Sequence, residues 1–200
     1  MEEKIDITIK IIILGSSEVG KTSIFDRYFN NEFRENQLAT VGIDFQTKFF
    51  KFEGMNIKGV YTDTAGQEKF RAISVNYLKP ANGVILVFDI TKEETFDAIE
   101  EWLKYLKDNN KDNIEKILIG NKLDLENNRK VSKEDAEAFA KSNGCQYFEC
   151  SAKTGQNINE ALDEIARITY LSKKGKTEGD KDKNIVLNKN SPGAKKKKCC

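Results

Sequence analysis

The segment GSSEVGKT at residues 15–22 combines two glycines, a lysine and a threonine at the spacing of a phosphate-binding loop. Gly15 and Gly20 allow backbone conformations that direct amide groups inward. Lys21 can reach the terminal phosphates of a nucleotide, and the hydroxyl of Thr22 is a suitable ligand for Mg²⁺. A predicted strand precedes this segment and a predicted helix follows it, which is the context that such a loop requires. The pattern therefore predicts a nucleotide site.

Glu18 places a carboxylate in the middle of a loop that is expected to bind an anion. Because such a loop binds phosphate through backbone amides, the side chain of Glu18 can point to solvent. Its charge still reduces the attraction of phosphate to the loop, although water and Mg²⁺ screen the effect. We expect slightly weaker phosphate binding and faster nucleotide release than with glycine at this position.

The segment NKLD at residues 121–124 follows an apolar run that ends at Gly120. The carboxylate of Asp124 can accept hydrogen bonds from both N–H groups on the edge of guanine, and adenine cannot supply that pair. A polar group left without its partner costs about 1 kcal/mol or more, which is enough to select a base. The segment SAK at 151–153 follows the next predicted strand and can offer a backbone amide nearby. These residues favour guanine.

Strands and helices alternate along the chain, which predicts an α/β fold with a doubly wound, mostly parallel sheet. Runs of β-branched and apolar residues predict strands at 7–14, 43–52, 55–62, 83–90, 114–120 and 145–150. Amphipathic segments predict helices at 21–30, 91–109, 132–143 and 157–171. The second and third strands flank the dipeptide EG and are expected to form an antiparallel hairpin. Thr91 followed by Glu94 predicts a capping box. Ligands of such sheets bind at the carboxyl ends of the strands, where all the motifs above lie.

The formal net charge of +1 is unevenly distributed. Residues 172–200 contain ten lysines and three acidic residues, a charge of +7, which leaves −6 for residues 1–171. The helical periodicity also stops after Leu171, and the residues that follow are charged and contain glycine. The sequence therefore predicts a folded domain over 1–171 and a disordered basic tail over 172–200 that serves as an interaction segment.

The cysteines and the amino-terminal residues favour a cytosolic, reducing environment with free thiols. The chain begins with acidic residues rather than an apolar leader, and its apolar runs are too short to span a bilayer. Cys145 and Cys150 are expected to be buried cysteines of a strand. The chain contains no histidine and no CxxC pair, so a zinc site is not expected.

The four nucleotide motifs, taken in order and with their spacing, resemble those of the small GTPases of the Ras superfamily: GSSEVGKT, DTAGQE at 63–68, NKLD and SAK. Three further features resemble the Rab family, namely TVGIDF at 40–45, FDAIEEWL at 96–103 and the terminal pair of cysteines. The resemblance covers about residues 5–171 and the terminus. It implies a P-loop small G domain with six strands, one of them antiparallel, and about five helices.

The resemblance also implies roles for individual residues. Lys21 would hold the β- and γ-phosphates, and Gln67 would be the catalytic residue that orients the attacking water. Mg²⁺ would be bound by Thr22, Thr40 and, through water, Asp63. The residues that contact GTP or GDP would comprise Ser17, Glu18, Val19, Gly20, Lys21, Thr22, Ser23, Phe33, Thr40, Asp63, Gly66, Asn121, Lys122, Asp124, Ser151, Ala152 and Lys153. Phe33 would pack beside the base, although simple core packing is an alternative for this residue.

The implied function is a GTP/GDP switch in vesicle trafficking. GTP would order the segments 34–45 and 64–78, and hydrolysis would release them. No arginine stands in an obvious position to stabilise the transition state, so hydrolysis is expected to be slow without a partner. The implied partners of this monomer are an exchange factor, a GTPase-activating protein, an escort protein, a GDP-dissociation inhibitor and effectors. Two alternatives stay open, a GTP-locked scaffold with negligible turnover and a P-loop phosphotransferase.

The chain ends in Lys195–Lys198 followed by Cys199 and Cys200. Each lysine near an anionic leaflet contributes about 1 kcal/mol, which alone gives reversible attachment, whereas two anchoring signals give stable attachment. The resemblance implies geranylgeranyl groups on both cysteines. We expect a lipid-anchored protein on the cytoplasmic face of an endomembrane or the plasma membrane, with a cytosolic pool. Nothing in the domain suggests nucleic-acid binding.

Three positions depart from the Rab pattern. Thr62 stands where the family usually has tryptophan before DTAGQE, and NYLKPAN at 76–82 replaces a stretch that usually reads YYRGA. Glu18 is the third departure. None of the three is an implied base or metal ligand, so nucleotide binding is expected to persist, whereas the set of effectors and the subfamily stay open.

Overall fold

A computed structural model describes residues 4–35, 43–64, 77–111 and 113–188 of the 200-residue chain, and the statements below refer to these residues. Six strands form one sheet: β1 (Ile7–Leu14), β2 (Ile43–Phe52), β3 (Met55–Thr64), β4 (Gly83–Asp89), β5 (Glu115–Asn121) and β6 (Gln146–Glu149). The described helices are α1 (Lys21–Asn30), α2 (Glu93–Asp108), α3 (Lys133–Ser142), α4 (Ile158–Asn188) and a short 3₁₀ helix (Leu123–Asn128).

The strands lie in the order β2-β3-β1-β4-β5-β6. β2 and β3 form the predicted antiparallel hairpin, and every other neighbouring pair is parallel. β4 lies in the middle of the parallel strands, and all seven of its residues are buried, as expected where helices cover both faces. The predicted fold class is therefore confirmed.

Two apolar layers hold the helices against the sheet. Ile9, Ile11 and Ile13 of β1 point into a layer shared with α1 and α4, and the intervening Ile12 and Leu14 point into a layer shared with α2 and α3. This alternation follows from the two-residue period of a strand. The layers fix the sheet so that the loops after β1, β3, β4, β5 and β6 emerge at one edge, which we call the carboxyl edge.

The start of α2 differs from the prediction. The residue that caps the helix is Lys92, which makes no side-chain capping bond, so the predicted capping box of Thr91 and Glu94 is wrong. The hydroxyl of Thr91 instead donates to Asp89 Oδ1 at 2.7 Å. The carboxylate at the end of β4 therefore binds the hydroxyl that would otherwise have capped the helix.

The last helix is longer than predicted, because α4 continues to Asn188 rather than ending near Leu171. Its first part is already anchored by buried residues such as Leu162 and Tyr170, so adding further turns requires no new nucleation. Lysine, which is common after Leu171, also has good helix propensity. Disorder stays a prediction for residues 189–200, which lie outside the described residues.

The cysteine positions are close to those predicted. Cys145 precedes β6 and is half-buried, and Cys150 follows β6 and is buried, so both flank the strand rather than lie in it. Burial raises the pKa of the Cys150 thiol to about 12 and also raises the pKa of Cys145, so both thiols are protonated at neutral pH. Across the described residues, every helix is too short or too polar to serve as a membrane-spanning segment.

Candidate nucleotide-binding site

The loop between β1 and α1 packs closely against the rest of the carboxyl edge. Gly15 and Gly20 have φ angles of 152° and 92°, and a Cβ atom at Gly15 would lie 2.3 Å from the Val87 carbonyl oxygen of β4. A Cβ atom at Gly20 would lie 2.5 Å from the Asn121 side-chain nitrogen. Gly20 is also the N-cap of α1, and glycine has no side chain to bind the first amides of the helix. The loop thus presents a helix N-terminus suited to an anion.

Lys21 is buried under this loop, and its ammonium group donates to the carbonyl oxygens of Gly15 at 3.0 Å and Ser16 at 2.8 Å. Burial lowers the pKa of Lys21 to about 8, and the nearby carboxylate of Asp63 partly opposes that shift. The ammonium is therefore mostly charged at neutral pH, and an anion in the loop would stabilise its charge further.

Asp63 lies near the end of β3, where its buried carboxylate faces the first turn of α1. The hydroxyl of Thr22 donates to Asp63 Oδ2 at 2.5 Å. The structure thus brings together Lys21, Thr22 and Asp63, as predicted. Hydroxyl and carboxylate oxygens are the ligands that Mg²⁺ prefers, so this pair fits that ion. The third predicted metal ligand, Thr40, lies outside the described residues, as do Gly66 and the predicted catalytic residue Gln67.

Asn121 connects the phosphate loop with the loop after β6. Its side-chain nitrogen donates to the Val19 carbonyl oxygen at 2.8 Å, and its side-chain oxygen accepts from the Ala152 amide at 3.2 Å. Asn121 is 1% exposed, so both bonds are shielded from water. The first residue of NKLD therefore fixes the distance between two loops that would contact opposite ends of a nucleotide.

Asp124 is oriented by the SAK segment. The hydroxyl of Ser151 donates to Asp124 Oδ1 at 2.6 Å and accepts from the Thr154 amide at 3.1 Å. Ser151 is fully buried, whereas Asp124 is exposed at the start of the 3₁₀ helix. The carboxylate that the sequence predicts as the base reader is thus held at a fixed angle by the segment predicted to lie beside it.

Asp89 is a site residue that the sequence analysis missed. Its carboxylate is 1% exposed, and its Oδ2 lies 2.6 Å from the ammonium of Lys122, which is a predicted base contact. Asp89 Oδ1 accepts from the amide and hydroxyl of Thr91. The signal was present in the sequence, because Asp89 is an acidic residue at the end of an otherwise apolar strand that points to the carboxyl edge.

Arg27 is a second missed residue, and it connects α1 to the base side of the site. Its guanidinium donates to the carbonyl oxygens of Ala152 at 2.9 Å and Lys153 at 2.7 Å, and also to the backbone and side-chain oxygens of Asn31. The ammonium of Lys153 forms an ion pair with Glu35 at 3.1 Å. The separation of 125 residues between Arg27 and Ala152 explains why no local pattern revealed this contact.

Glu18 has the orientation that the sequence predicts. Its side chain is 79% exposed and forms an ion pair with Lys92 at 3.3 Å, at the start of α2. Ion pairs this exposed contribute little to stability. The backbone of Glu18 has a φ angle of 63°, a conformation that glycine adopts more easily than glutamate.

The remaining predicted contacts vary in exposure. Val19 is fully buried and anchors the phosphate loop, Ser17 is exposed, and Ser23 is half-buried in the first turn of α1. Phe33 is half-buried and packs against the apolar layer of α1 and α4, which agrees with the packing alternative and leaves its contact with a base a prediction. The two terminal cysteines lie outside the described residues.

Comparisons with known proteins agree with this geometry. The model of the Ras family matches residues 10–170. Ras-related protein Rab-13 of Mesocricetus auratus is 40% identical over 92% of this chain and 90% of its own length. Ras-related protein RABA2a of Arabidopsis thaliana is 39% identical over 86% of this chain and 81% of its own length, and Ras-related protein Rab2BV of Beta vulgaris is 38% identical over 92% and 87%. The chain therefore belongs to the Ras family, within its Rab branch, and is a small GTPase that hydrolyses GTP to GDP.

Proposed function

We propose that this GTPase is a membrane switch of vesicle trafficking that binds GTP with Mg²⁺, hydrolyses it slowly and recruits effectors in its GTP state. The observation that carries the proposal is the pair of hydrogen bonds that joins the side chain of Asn121 to the phosphate loop and to the SAK segment. This arrangement supports a single ligand that spans both loops, with phosphates at one end and a base at the other.

At the base end, Asp124 accepts from the two N–H groups on the edge of guanine while Ser151 holds its carboxylate in place. Ala152 helps to enclose the base, and the stems of Lys122 and Lys153 pack beside it, with Phe33 at the rim. Asp89 supports this arrangement because it fixes the ammonium of Lys122 at 2.6 Å. An adenine nucleotide would leave the carboxylate of Asp124 with only part of its hydrogen bonding.

At the phosphate end, Lys21 exchanges its bonds to the loop carbonyls for bonds to the β- and γ-phosphates. The ammonium is already buried, so little further desolvation opposes this exchange. Thr22 and Thr40 would hold Mg²⁺ and Asp63 would hold it through water, and the ion when bound would neutralise phosphate charge. The Gly66 amide meets the γ-phosphate, and Gln67 orients the attacking water.

Slow hydrolysis is supported by the positions of the arginines. Among the described residues, every arginine is bound away from the phosphate loop, by the partners Ala152 and Lys153 (Arg27), Glu32 (Arg34), Glu149 (Arg129) and Glu164 (Arg167). A GTPase-activating protein would therefore supply the charge that stabilises the transition state. An exchange factor would restore the GTP state after hydrolysis.

Effectors bind an exposed aromatic patch on the hairpin. Phe45 of β2 is 50% exposed, and its ring lies 5.5 Å from that of Tyr77. Thr62 of β3 is the register partner of Phe45, so its side chain lies on the same face of the sheet. A threonine here makes the patch smaller than a tryptophan would, which supports a different set of effectors.

The tail attaches the switch to a membrane. Geranylgeranyl groups on Cys199 and Cys200, together with Lys195–Lys198, hold the protein on the cytoplasmic face of an endomembrane or the plasma membrane. An escort protein presents the chain for lipidation, and a GDP-dissociation inhibitor maintains the cytosolic pool.

The test uses the full chain with Mg²⁺. The nucleotide that copurifies is identified, and the conversion of GTP to GDP is followed in a single turnover for the parent and for Gln67→Leu. We expect a bound guanine nucleotide, slow hydrolysis in the parent and slower hydrolysis in the variant. A preference for ATP, or equal rates in the two proteins, would contradict the proposal. Undetectable turnover in both would favour the GTP-locked scaffold instead.

A further inference from the structure

A polar cavity of about 230 Å³ lies at the edge of the sheet opposite the nucleotide site. It is bordered by Ala81 and Asn82, which precede β4, by Glu115, which begins β5, and by Thr169 and Lys173 of α4. Because β4 and β5 are parallel to β1, their first residues lie at the amino edge, away from the phosphate loop. The cavity is therefore separate from the site described above.

Two ammonium groups are fixed by hydrogen bonds at the rim of the cavity. Lys111 donates to the Ala81 carbonyl oxygen at 3.0 Å. Lys173 donates to the Thr8 carbonyl oxygen at 2.6 Å and lies 3.4 Å from Asn82 Oδ1. Both lysines line the cavity, and their bonds to backbone carbonyls hold two positive charges at its rim before any ligand arrives.

A third lysine adds to this charge. Two hydrogen bonds join Lys10 to Asn82. The backbone amide of Asn82 donates to the Lys10 carbonyl oxygen at 2.7 Å, and the backbone amide of Lys10 donates to Asn82 Oδ1 at 3.1 Å. Burial, together with repulsion from Lys10, lowers the pKa of Lys173. Among the described lining residues, two lysines accompany one acidic residue, Glu115.

A buried hydroxyl completes the lining. Thr169 is 0% exposed, and its Oγ1 has no hydrogen-bond partner among the described residues. The absence of a side chain at Gly83 leaves room for this hydroxyl, since a Cβ atom there would lie 2.4 Å from Thr169 Oγ1. Buried hydroxyl groups almost always have a partner, so an unsatisfied one beside a cavity indicates a missing acceptor or donor.

We propose that this cavity binds the phosphate group of a phosphomonoester, either on a lipid headgroup or on a soluble molecule. Such a group carries close to two negative charges and several acceptor oxygens, which match ammonium and hydroxyl donors. The cavity exceeds by several fold the volume of about 30 Å³ that one water molecule occupies, so it admits a phosphate group with bridging waters. Its ligand would be recognised independently of the guanine nucleotide.

The test uses the full chain loaded with GDP and Mg²⁺, with three probes. Inorganic phosphate and a soluble inositol phosphate are titrated while protein amide resonances are monitored. Vesicles that contain phosphatidylinositol monophosphate are compared with phosphatidylserine vesicles of equal total charge. The variants are Lys111→Gln, Lys173→Gln and Thr169→Val, with Thr169→Ser as the conservative change. Lys174→Gln is the matched control, because Lys174 neighbours Lys173 but pairs with Glu53 at 2.6 Å instead of lining the cavity.

We expect Lys111→Gln and Lys173→Gln each to weaken probe binding about ten-fold, since each removes one charge-assisted hydrogen bond. Thr169→Val is expected to weaken it less, and Thr169→Ser to restore it. Cavity-dependent binding to the soluble probes identifies a soluble ligand, whereas cavity-dependent binding only to the phosphoinositide vesicles identifies a lipid headgroup; either supports the site. Binding that Lys174→Gln weakens as much as Lys173→Gln would show general attraction to lysines and overturn the proposal, as would no binding of any probe.

Discussion

The two edges of the sheet differ in how their charged side chains are paired. At the carboxyl edge, charges of opposite sign lie together: Lys122 pairs with Asp89 at 2.6 Å, and Lys21 lies beside Asp63. At the amino edge, lysines gather around Asn82, with one acidic residue in the described lining of the cavity. The charges described at the carboxyl edge are thus paired within the protein, whereas under the proposal above a ligand would add negative charge beside the lysines of the amino edge.

The largest effect on the nucleotide site at the carboxyl edge is expected from a change at Asp124. Asp124→Ala removes the carboxylate that is proposed to bind guanine, and with it two hydrogen bonds to a charged acceptor that would contribute about 1.5–3 kcal/mol each. We expect the affinity for GDP to fall at least about 100-fold, as measured by competition with a fluorescent GDP analogue. Ser151→Ala, which removes only the orienting hydroxyl, is the control and should cost less. Equal losses in the two variants would contradict direct recognition by Asp124.

A second test concerns Arg27 of α1, whose side chain binds the loop after β6. Arg27→Gln should speed GDP release about ten-fold, because it removes charge-assisted bonds to the Ala152 and Lys153 carbonyls. Arg27→Lys should recover only part of this effect, since an ammonium cannot reproduce the planar fork. Release is followed by stopped-flow fluorescence.

The control for Arg27 is Arg167→Gln on α4, which breaks an exposed ion pair with Glu164 at 2.7 Å. Melting temperatures in saturating GDP separate a loss of stability from a change in release. If GDP release accelerates only in proportion to the loss of protein stability, Arg27 has a structural role and does not position the loop after β6.

The pairing of opposite charges at the carboxyl edge can be tested directly with Asp89→Asn. This change leaves the ammonium of Lys122 beside a neutral amide, and we expect GDP release to rise about five-fold and the free energy of unfolding to fall by about 1–3 kcal/mol. Glu149→Gln is a matched control, since it breaks the Arg129–Glu149 pair, also at 2.6 Å, between two residues that are not predicted nucleotide contacts. An unchanged release rate in Asp89→Asn with normal release in the control would show that Lys122 needs no fixed partner.

The smallest effect is expected at Glu18. Glu18→Gly removes a negative charge near the phosphates and suits the φ angle of 63°, so GDP release should slow by about three-fold or less. Glu18→Gln separates the charge from the backbone effect. The measurement is the release rate at low and high salt, because a charge effect shrinks as salt rises. Identical rates in all three proteins would mean that Glu18 has no influence on phosphate binding.

Local patterns predicted the parts of the molecule that local physics controls. The glycine spacing follows from turn chemistry, and the succession of strands and helices along the chain follows from periodicity. The NKLD and SAK segments were located by their position directly after predicted strands, and the structure places these motifs along one edge. The contacts of Arg27 and Asp89 could not be derived in this way, because they join segments far apart in the chain. The start of α2 was misplaced for a different, local reason, since Asp89 binds the hydroxyl of Thr91 two residues further along the chain.

Asn121 has a consequence for the kinetics of the switch. One buried amide group serves both the Val19 carbonyl and the Ala152 amide, so the two ends of the pocket cannot move apart without breaking a bond shielded from water. Partly released nucleotide should therefore be a poorly populated state, and the pocket should behave as either full or empty. GDP release from the parent protein should follow a single exponential, and Asn121→Ala, which uncouples the two loops, should make it biphasic.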